Sequence, residues 1–348
     1  MRLDDLVGQA RAVAILKRAL AGQRLGHGYL FDGPPGVGKA SAALGVGLAL
    51  VCEQEPLVGC GRCTACTRAL AGNHPDVFRF DAKELPELAK ASSEKSAVKY
   101  AARQVFPYAM SAPHEAPYRL LVLDNADTLS VDVQNTLLKT LEEPRADVHI
   151  VLVTRARDRL LPTILSRTQR IRFVPVAANI LLELAAGRGL DTRRAETAAV
   201  LAGGSVARFL ELSRTESEGE VDAEWATVKT LRQAARAGVA SEVFATAAGI
   251  GDKESKGQLP ELLTLLAALY RDALARAVGA DDLVLLGEHH AEIEALARTS
   301  QQGANPRELR RGLEAIWEAK TALESNLNSV TVVERLLFAL RTAERGAA

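Results

Sequence analysis

The sequence lacks the long apolar run that a membrane-spanning segment requires. No uncharged apolar stretch reaches the roughly 20 residues needed to cross a bilayer, and the first five residues do not resemble a signal peptide. Net charge is also absent, because 43 basic residues balance 43 acidic ones. These features predict a cytoplasmic protein with no membrane partner and without a general electrostatic attraction to nucleic acid.

Cysteine is scarce and confined to one segment of the 348 residues. A disulfide framework would be spread over the chain, whereas Cys52, Cys60, Cys63 and Cys66 follow the close spacing C-x7-C-x2-C-x2-C. Four thiolates at this spacing predict a structural Zn²⁺ site, in which no coordination position stays open for catalysis. An iron–sulfur cluster and four free thiols are the alternatives. His74 is a possible competing ligand, which we interpret as a loop residue.

The character of the chain changes at about residue 176. Before it, short apolar runs alternate with helical patterns, which is typical of an α/β fold with a mostly parallel sheet. The candidate strands are residues 28–32, 77–81, 120–124, 148–153 and 170–173. After it, apolar residues recur at helical spacing. Glycines at 203–204 and a polar, linker-like segment at 213–222 predict a small helical domain at 177–222 and a second one at 223–348.

A glycine-rich segment follows the first candidate strand. Residues 33–39 read Gly-Pro-Pro-Gly-Val-Gly-Lys, which fits the P-loop pattern G-x-x-x-x-G-K, and an Ala/Leu-rich helix follows. The glycines let backbone N–H groups face phosphate oxygens at a helix N-terminus, and the lysine neutralises the β- and γ-phosphates. We therefore predict that Gly33, Gly36, Gly38 and Lys39 bind a nucleotide.

Two positions of this site depart from what ATP hydrolysis needs. The residue after the lysine is normally Ser or Thr, whose hydroxyl binds Mg²⁺, but here it is Ala40, and Ser41 is turned by about 100° around the helix. Asp124 ends an apolar strand, where a carboxylate that holds Mg²⁺ would lie, and we assign it to the nucleotide site. The next residue is Asn125, which cannot act as a general base. We predict weak or absent hydrolysis, and ATP or ADP binding at a degenerate site stays open.

Two further motifs point to a family. Residues 134–144, Gln-Asn-Thr-Leu-Leu-Lys-Thr-Leu-Glu-Glu-Pro, resemble the N-A-L-L-K-x-L-E-E-P signature of clamp-loader AAA+ subunits. Residues 165–168, Leu-Ser-Arg-Thr, are similar to the Ser-Arg-Cys motif of the same proteins. The resemblance implies a P-loop AAA+ core at 1–176 with a zinc module inserted at about 50–75, a lid at 177–222 and a helical oligomerisation collar at 223–348.

The resemblance also implies a role. In this family the motif arginine reaches the ATP site of the neighbouring subunit, which predicts Arg167 as an arginine finger acting in trans; the alternative is a surface arginine in a basic stretch. Ala40 lacks the hydroxyl that binds Mg²⁺, and Asn125 lacks the carboxylate of a general base. In this respect the sequence resembles the delta-prime branch of the family, whose members are structural parts of the DNA-directed DNA polymerase III holoenzyme. The implied partners are gamma/tau and delta subunits and, through the complex, the sliding clamp and primed DNA.

Two other functions compete with this interpretation. One is a catalytically active AAA+ ATPase, either a gamma/tau motor subunit or a protein similar to a helicase loader, and Ala40 and Asn125 argue against it. The other is a zinc module that binds DNA on an inactive ATPase scaffold. In the segment 52–74 the basic residues are Arg62 and Arg68 alone, which is little charge for binding phosphates.

Overall fold

The chain divides into two compact units. The computed structural model describes residues 2–22, 25–213, 218–251, 258–298, 306–325 and 327–345. The first unit comprises Met1–Val176 with Ser205–Ala207, and the second comprises Ala177–Gly204 with Arg208–Ala348. The division of the helical part into lid and collar stays a prediction.

The first unit is built on a five-stranded sheet in which all neighbouring strands are parallel. The strands are β1 Gly28–Asp32, β2 Val77–Asp81, β3 Arg119–Asp124, β4 Val148–Thr154 and β5 Gln169–Arg172. Their order in the sheet is β2-β3-β4-β1-β5. The predicted α/β class is confirmed, and each predicted strand is present with its ends displaced by one residue at most.

Helices cover both faces of this sheet. They are α1 Ala10–Ala21, α2 Lys39–Val51, α3 Thr64–Leu70, α4 Leu85–Ala91, α5 Ala97–Tyr100, α6 Phe106–Met110, α7 Val131–Glu142 and α8 Pro162–Arg167. Successive residues of a strand point to opposite faces. In β3, Leu120 and Val122 therefore pack in the core shared with α1 and α2, whereas Leu121 and Leu123 pack against α7. The next residue on the α2 side is Asp124.

The second unit contains helices in the part of the chain that the structure describes. They are α9 Ala178–Ala186, α10 Thr192–Leu201, α11 Val206–Leu212, α12 Glu218–Ala237, α13 Ala240–Gly251, α14 Leu259–Ala277, α15 His290–Ala297, α16 Pro306–Glu324 and α17 Ser329–Arg345; α11 starts in the segment assigned to the first unit. None of the described helices has the length and apolarity needed to cross a membrane.

The linker-like character predicted for residues 213–222 is wrong for its second half. Helix α12 begins at Glu218, because Glu218 and Glu220 have good helix propensity and no proline interrupts the segment. Residues 214–217 lie outside the described residues.

A buried ion pair ties the start of β2 to the segment before β3. The Asp76 carboxylate is fully buried and accepts hydrogen bonds from the backbone N–H groups of His114, Glu115 and Ala116 at 2.7, 2.7 and 2.9 Å. The Arg119 guanidinium donates to it at 2.9 Å. Burial alone would favour the protonated acid, but these donors outweigh it and hold the pKa of Asp76 below its ordinary value.

Asp76→Ala is expected to lower the free energy of unfolding by about 3 kcal/mol at pH 7, because Arg119 is left buried without its partner. The folded-state pKa of Asp76 lies below the ordinary value of about 3.9. The stabilisation by the ionised Asp76 is therefore complete at pH values above the ordinary pKa, and it is lost as the pH falls through the folded-state pKa. Urea unfolding at several pH values measures both effects. The exposed Asp158→Ala is the control and should stay within about 0.5 kcal/mol of the wild type; an equal loss in both variants would contradict the prediction.

Candidate nucleotide site and cysteine cluster

The P-loop connects β1 to α2 at the carboxyl end of the sheet. Gly36 and Gly38 have φ angles of 73° and 100°, a backbone region that favours glycine. A Cβ on Gly33 would lie 2.3 Å from the carbonyl oxygen of Phe173, so the chain leaves no room for a side chain there. Helix α2 begins at Lys39, and the loop therefore presents its N–H groups at a helix N-terminus, as phosphate binding requires. Nucleotide binding by these residues stays a prediction.

The P-loop lysine is turned onto the loop itself. The Lys39 Nζ donates to the carbonyl oxygens of Gly33, at 2.6 Å, and Pro34. Burial lowers the pKa of Lys39, and the negative charges of Asp124 and Asp32 oppose this effect. The ammonium therefore lies against the carbonyl oxygens of the loop.

A distant segment of the first unit returns to the P-loop. The backbone N–H of Ala207 donates to the carbonyl oxygen of Gly36 at 3.1 Å, and a Cβ on Gly36 would lie 2.0 Å from the Ser205 Oγ. The glycines at 203 and 204, with φ of 56° and 84°, turn the chain just before this contact. The sequence marks the turn through its two glycines, but nothing in it identifies the P-loop as the contact.

The carboxylate predicted to face a metal is in an ion pair. Asp124 accepts a hydrogen bond from the Arg79 Nη2 at 2.6 Å and from the backbone N–H of Asn125 at 3.0 Å. Asn125 has a φ of 52°, and its side-chain amide donates to the Asp81 Oδ1 at 2.9 Å. Asn125 therefore connects the ends of β2 and β3, a role that its type alone does not indicate.

Two more carboxylates at this edge of the sheet are paired in the same way. Arg170 of β5 donates to Asp32 at the end of β1, with its Nε at 2.9 Å. Arg155 follows β4, and its Nε lies 3.4 Å from the Asp127 Oδ2. The exposed fractions of the aspartate side chains are 13, 11 and 0% for Asp124, Asp32 and Asp127, and those of their arginines are 57, 45 and 50%. Buried negative charges are thus covered by guanidinium groups that face solvent.

Arg167 lies at the last position of α8. Its Nη1 donates to the carbonyl oxygen of Thr163 at 3.0 Å, and its Nη2 forms an ion pair with the Glu142 Oε1 at 2.8 Å. Glu142 belongs to the Leu-Glu-Glu-Pro sequence that ends α7. The structure therefore joins the two motifs that carry the family resemblance, and the side chain of Arg167 is partly exposed.

The four cysteine sulfurs lie within 4.8 Å of one another, and all four residues are buried. Cys52 follows the last residue of α2, Cys63 is the N-cap of α3, and Cys66 lies inside α3. Sulfurs bound to a tetrahedral zinc ion at about 2.3 Å are about 3.8 Å apart, and the Cys52 and Cys63 sulfurs are separated by 3.9 Å. The Cys52–Cys63 separation thus matches that of a zinc site, and the other sulfurs lie close enough to complete a four-cysteine group.

Backbone N–H groups surround these sulfurs. The N–H groups of Glu55 and Cys60 donate to the Cys52 Sγ, each at 3.2 Å, and that of Cys63 donates to the Cys60 Sγ at 3.3 Å. Burial disfavours the Cys63 thiolate, but N–H donors that include the one of Cys66 lower the pKa of Cys63 to about 6. Such donors stabilise the thiolate form that metals bind, whereas burial raises the pKa of the Cys66 thiol in the absence of a metal.

His74 does not join the cysteine cluster. Its Nδ1 accepts a hydrogen bond from the backbone N–H of Asp76 at 3.1 Å, so the ring shapes the turn that leads into β2. Among the described residues, the four cysteines are the group in which three or more possible metal ligands lie close together.

Nearly the whole chain is similar to one class of known protein. A family model described as "DNA polymerase III, delta subunit" matches residues 8–177. The DNA polymerase III subunit delta' of Bacillus subtilis is 30% identical over 336 residues, which are 96% of this chain and 96% of that protein. The chain belongs to the family of DNA polymerase III delta' subunits.

Other relatives match the first half of the chain. The delta' subunit of Pseudomonas aeruginosa is 34% identical over 172 residues, 49% of either protein. The tau subunit of Bacillus subtilis is 32% identical over 182 residues, which are 52% of this chain and 30% of tau. The similarity to a delta' subunit thus extends through the helical half, whereas the similarity to tau does not. The resemblance to delta' subunits inferred from the sequence motifs is confirmed.

Proposed function

We propose that this chain is the delta' member of a bacterial clamp loader and acts as a structural ring subunit that does not hydrolyse ATP. The similarity to a delta' subunit over nearly its full length carries the proposal. Two residues of the chain itself support the loss of hydrolysis. Ala40 has no hydroxyl to offer a metal, and the side chain of Asn125 is bonded to Asp81 and has no basic group for an attacking water.

The chemical contribution of this subunit is then Arg167, acting on ATP held by a neighbouring gamma/tau subunit. A guanidinium placed at the transferred phosphoryl group stabilises the charge that develops there. Its partly exposed position at the end of α8, held by Glu142, supports this role because an arginine can exchange one carboxylate partner for phosphate oxygens. Helices of the second unit would form the collar that joins the ring, which also includes delta. The ring loads the sliding clamp on primed DNA in the cytoplasm.

We further propose that Cys52, Cys60, Cys63 and Cys66 hold one Zn²⁺ ion. Four protein ligands leave no open position, so the metal would connect the end of α2 to α3 and take no part in catalysis. The separation of the sulfurs and the N–H groups directed at them support zinc. The P-loop, with Gly33, Gly36, Gly38 and Lys39 around a helix N-terminus, supports binding of ATP or ADP at the degenerate site.

Reconstitution tests the proposed function. Purified chain is mixed with gamma/tau, delta, the sliding clamp and primed DNA, and clamp loading is measured with and without the chain. We expect loading to require the chain and the isolated chain to give no ATP turnover above that of its Lys39→Ala variant. Loading that proceeds equally well without the chain would refute the role in the ring. Turnover by the isolated chain that disappears in Lys39→Ala would favour an active AAA+ ATPase.

A further inference from the structure

We infer that the P-loop site of this chain binds its nucleotide without Mg²⁺, because Arg79 supplies the cation that pairs with Asp124. The inference rests on the proposed nucleotide site and concerns its ligand. A P-loop ATPase holds Mg²⁺ through the hydroxyl that follows the P-loop lysine and through a carboxylate at the end of a neighbouring strand. The residues present here do not fit that ion.

The position of Arg79 follows from the sheet. Strands β2 and β3 are in register with Asp81 opposite Asp124, and Arg79, two residues earlier in β2, points to the same face as Asp81. This is the face covered by α2, since Val122, two residues before Asp124, packs in the core that α2 shares. Arg79 therefore extends along the sheet toward the P-loop side and reaches Asp124 at 2.6 Å.

A guanidinium on this carboxylate excludes a divalent cation from it. Mg²⁺ needs oxygen ligands at about 2.0–2.1 Å and is usually held by one or two carboxylates together with phosphates. An arginine that donates directly to Asp124 neutralises the same negative charge and repels a second cation. Ala40 removes the other protein ligand, so both groups that would hold the ion are lost.

The same edge offers positive charge to a phosphate group in place of the metal. Asp32 and Asp127 are also paired, with Arg170 and Arg155, and the arginine of each pair is about half exposed. Lys39, the first residue of α2, is close enough to Asp124, Asp32 and Asp127 for their negative charges to oppose the lowering of its pKa by burial. Guanidinium groups bind phosphates through several N–H donors at once, and they keep their charge at every physiological pH. The ligand expected here is a nucleoside di- or triphosphate free of metal.

Nucleotide affinity with and without metal tests the inference. Binding of a fluorescent ADP analogue to the full chain is measured in Mg²⁺ and in EDTA, and Mn²⁺ binding is followed by electron paramagnetic resonance in the presence of ADP. For the wild type we expect the Kd to change by less than about twofold between the two conditions, and no Mn²⁺ at the site. Ala40→Thr combined with Arg79→Ala should bind ADP about tenfold more tightly with Mg²⁺ than without, a difference of about 1.4 kcal/mol, and should gain Mn²⁺.

The matched control is Ala40→Thr combined with Arg172→Ala, which removes an exposed arginine of β5 and should stay independent of metal. Circular dichroism checks that the variants fold, and Arg79→Gln replaces Arg79→Ala if the shorter side chain disrupts the sheet. A wild-type Kd that weakens about tenfold in EDTA, or a metal requirement in the control equal to that of the double variant, would overturn the inference. Absence of nucleotide binding under both conditions would also overturn it, and the clamp-loading assay would then decide separately whether the proposed role in the ring holds.

Discussion

Arg167→Ala is expected to slow ATP hydrolysis at the adjoining gamma/tau site by on the order of 10³-fold, the lower end of what an arginine finger contributes. Without the guanidinium, this chain no longer donates hydrogen bonds that stabilise the charge on the transferred phosphoryl group. The fold should tolerate the change, because Arg167 is partly exposed and bonds to Glu142 and a backbone carbonyl in an ion pair of modest energy.

Single-turnover phosphate release by the reconstituted loader measures this effect, since steady-state turnover also reports sites that do not face Arg167. The amplitude of the fast phase of phosphate release should fall by the fraction that the site facing Arg167 contributes. Size-exclusion chromatography should show that the complex is still intact. Arg167→Lys should also be slow, because an ammonium lacks the planar fork of a guanidinium. Arg157→Ala removes an exposed arginine of the same basic stretch and serves as the control. Fast release of full amplitude from the Arg167→Ala loader would exclude the finger.

Local sequence patterns are sufficient to predict much of this fold. The central strands can be predicted because a parallel sheet covered on both faces requires short, almost continuously apolar segments, and β3 and β4 are buried along their whole length. The P-loop and the cysteine cluster can be predicted for a related reason. In each case the residues that act together are close in sequence, so spacing alone limits their geometry.

Contacts between distant strands could not be predicted in this way. The pairing of Arg79 with Asp124 depends on β2 lying beside β3 in one register, and strand order is a property of the folded chain. Its place at a strand end assigns Asp124 to the nucleotide site, and the structure adds that its charge is already paired. The contact of Ser205–Ala207 with the P-loop joins segments about 170 residues apart and has no local signal.

The arginines that pair with the buried aspartates have no signal of their own in the sequence. Arg79 lies in the middle of β2, Arg155 directly follows β4 and Arg170 is the second residue of β5. Each of these arginines, considered alone, resembles an ordinary charged residue on the surface. Only their pairing with buried aspartates distinguishes them, because a buried carboxylate needs a partner to remain ionised.

Cys63→Ser combined with Cys66→Ser is expected to remove about one zinc ion per chain and to destabilise the first unit strongly. A structural zinc site contributes on the order of 10 kcal/mol to the folding of a small zinc-binding peptide. Here the sulfurs pack with Leu48 and Val51 of α2, so loss of the metal loosens the helix that begins at the P-loop. Part of this energy is retained by the rest of the core, and a fall in Tm of about 10 °C is expected from a loss of several kcal/mol.

Elemental analysis and thermal unfolding of the double variant measure both effects. The control is Thr64→Ser combined with Thr67→Ser, which changes exposed positions of α3 and should keep both metal and Tm. If the wild-type protein contains iron and absorbs visible light, the four cysteines hold an iron–sulfur cluster and the zinc assignment is wrong. Wild-type protein that contains no metal, with a Tm that a strong chelator leaves unchanged, would mean that the four buried thiols are stabilised by packing and N–H donors alone. We expect instead that the chelator lowers the Tm of the wild type to that of the double variant, because removal of the metal removes its contribution to folding.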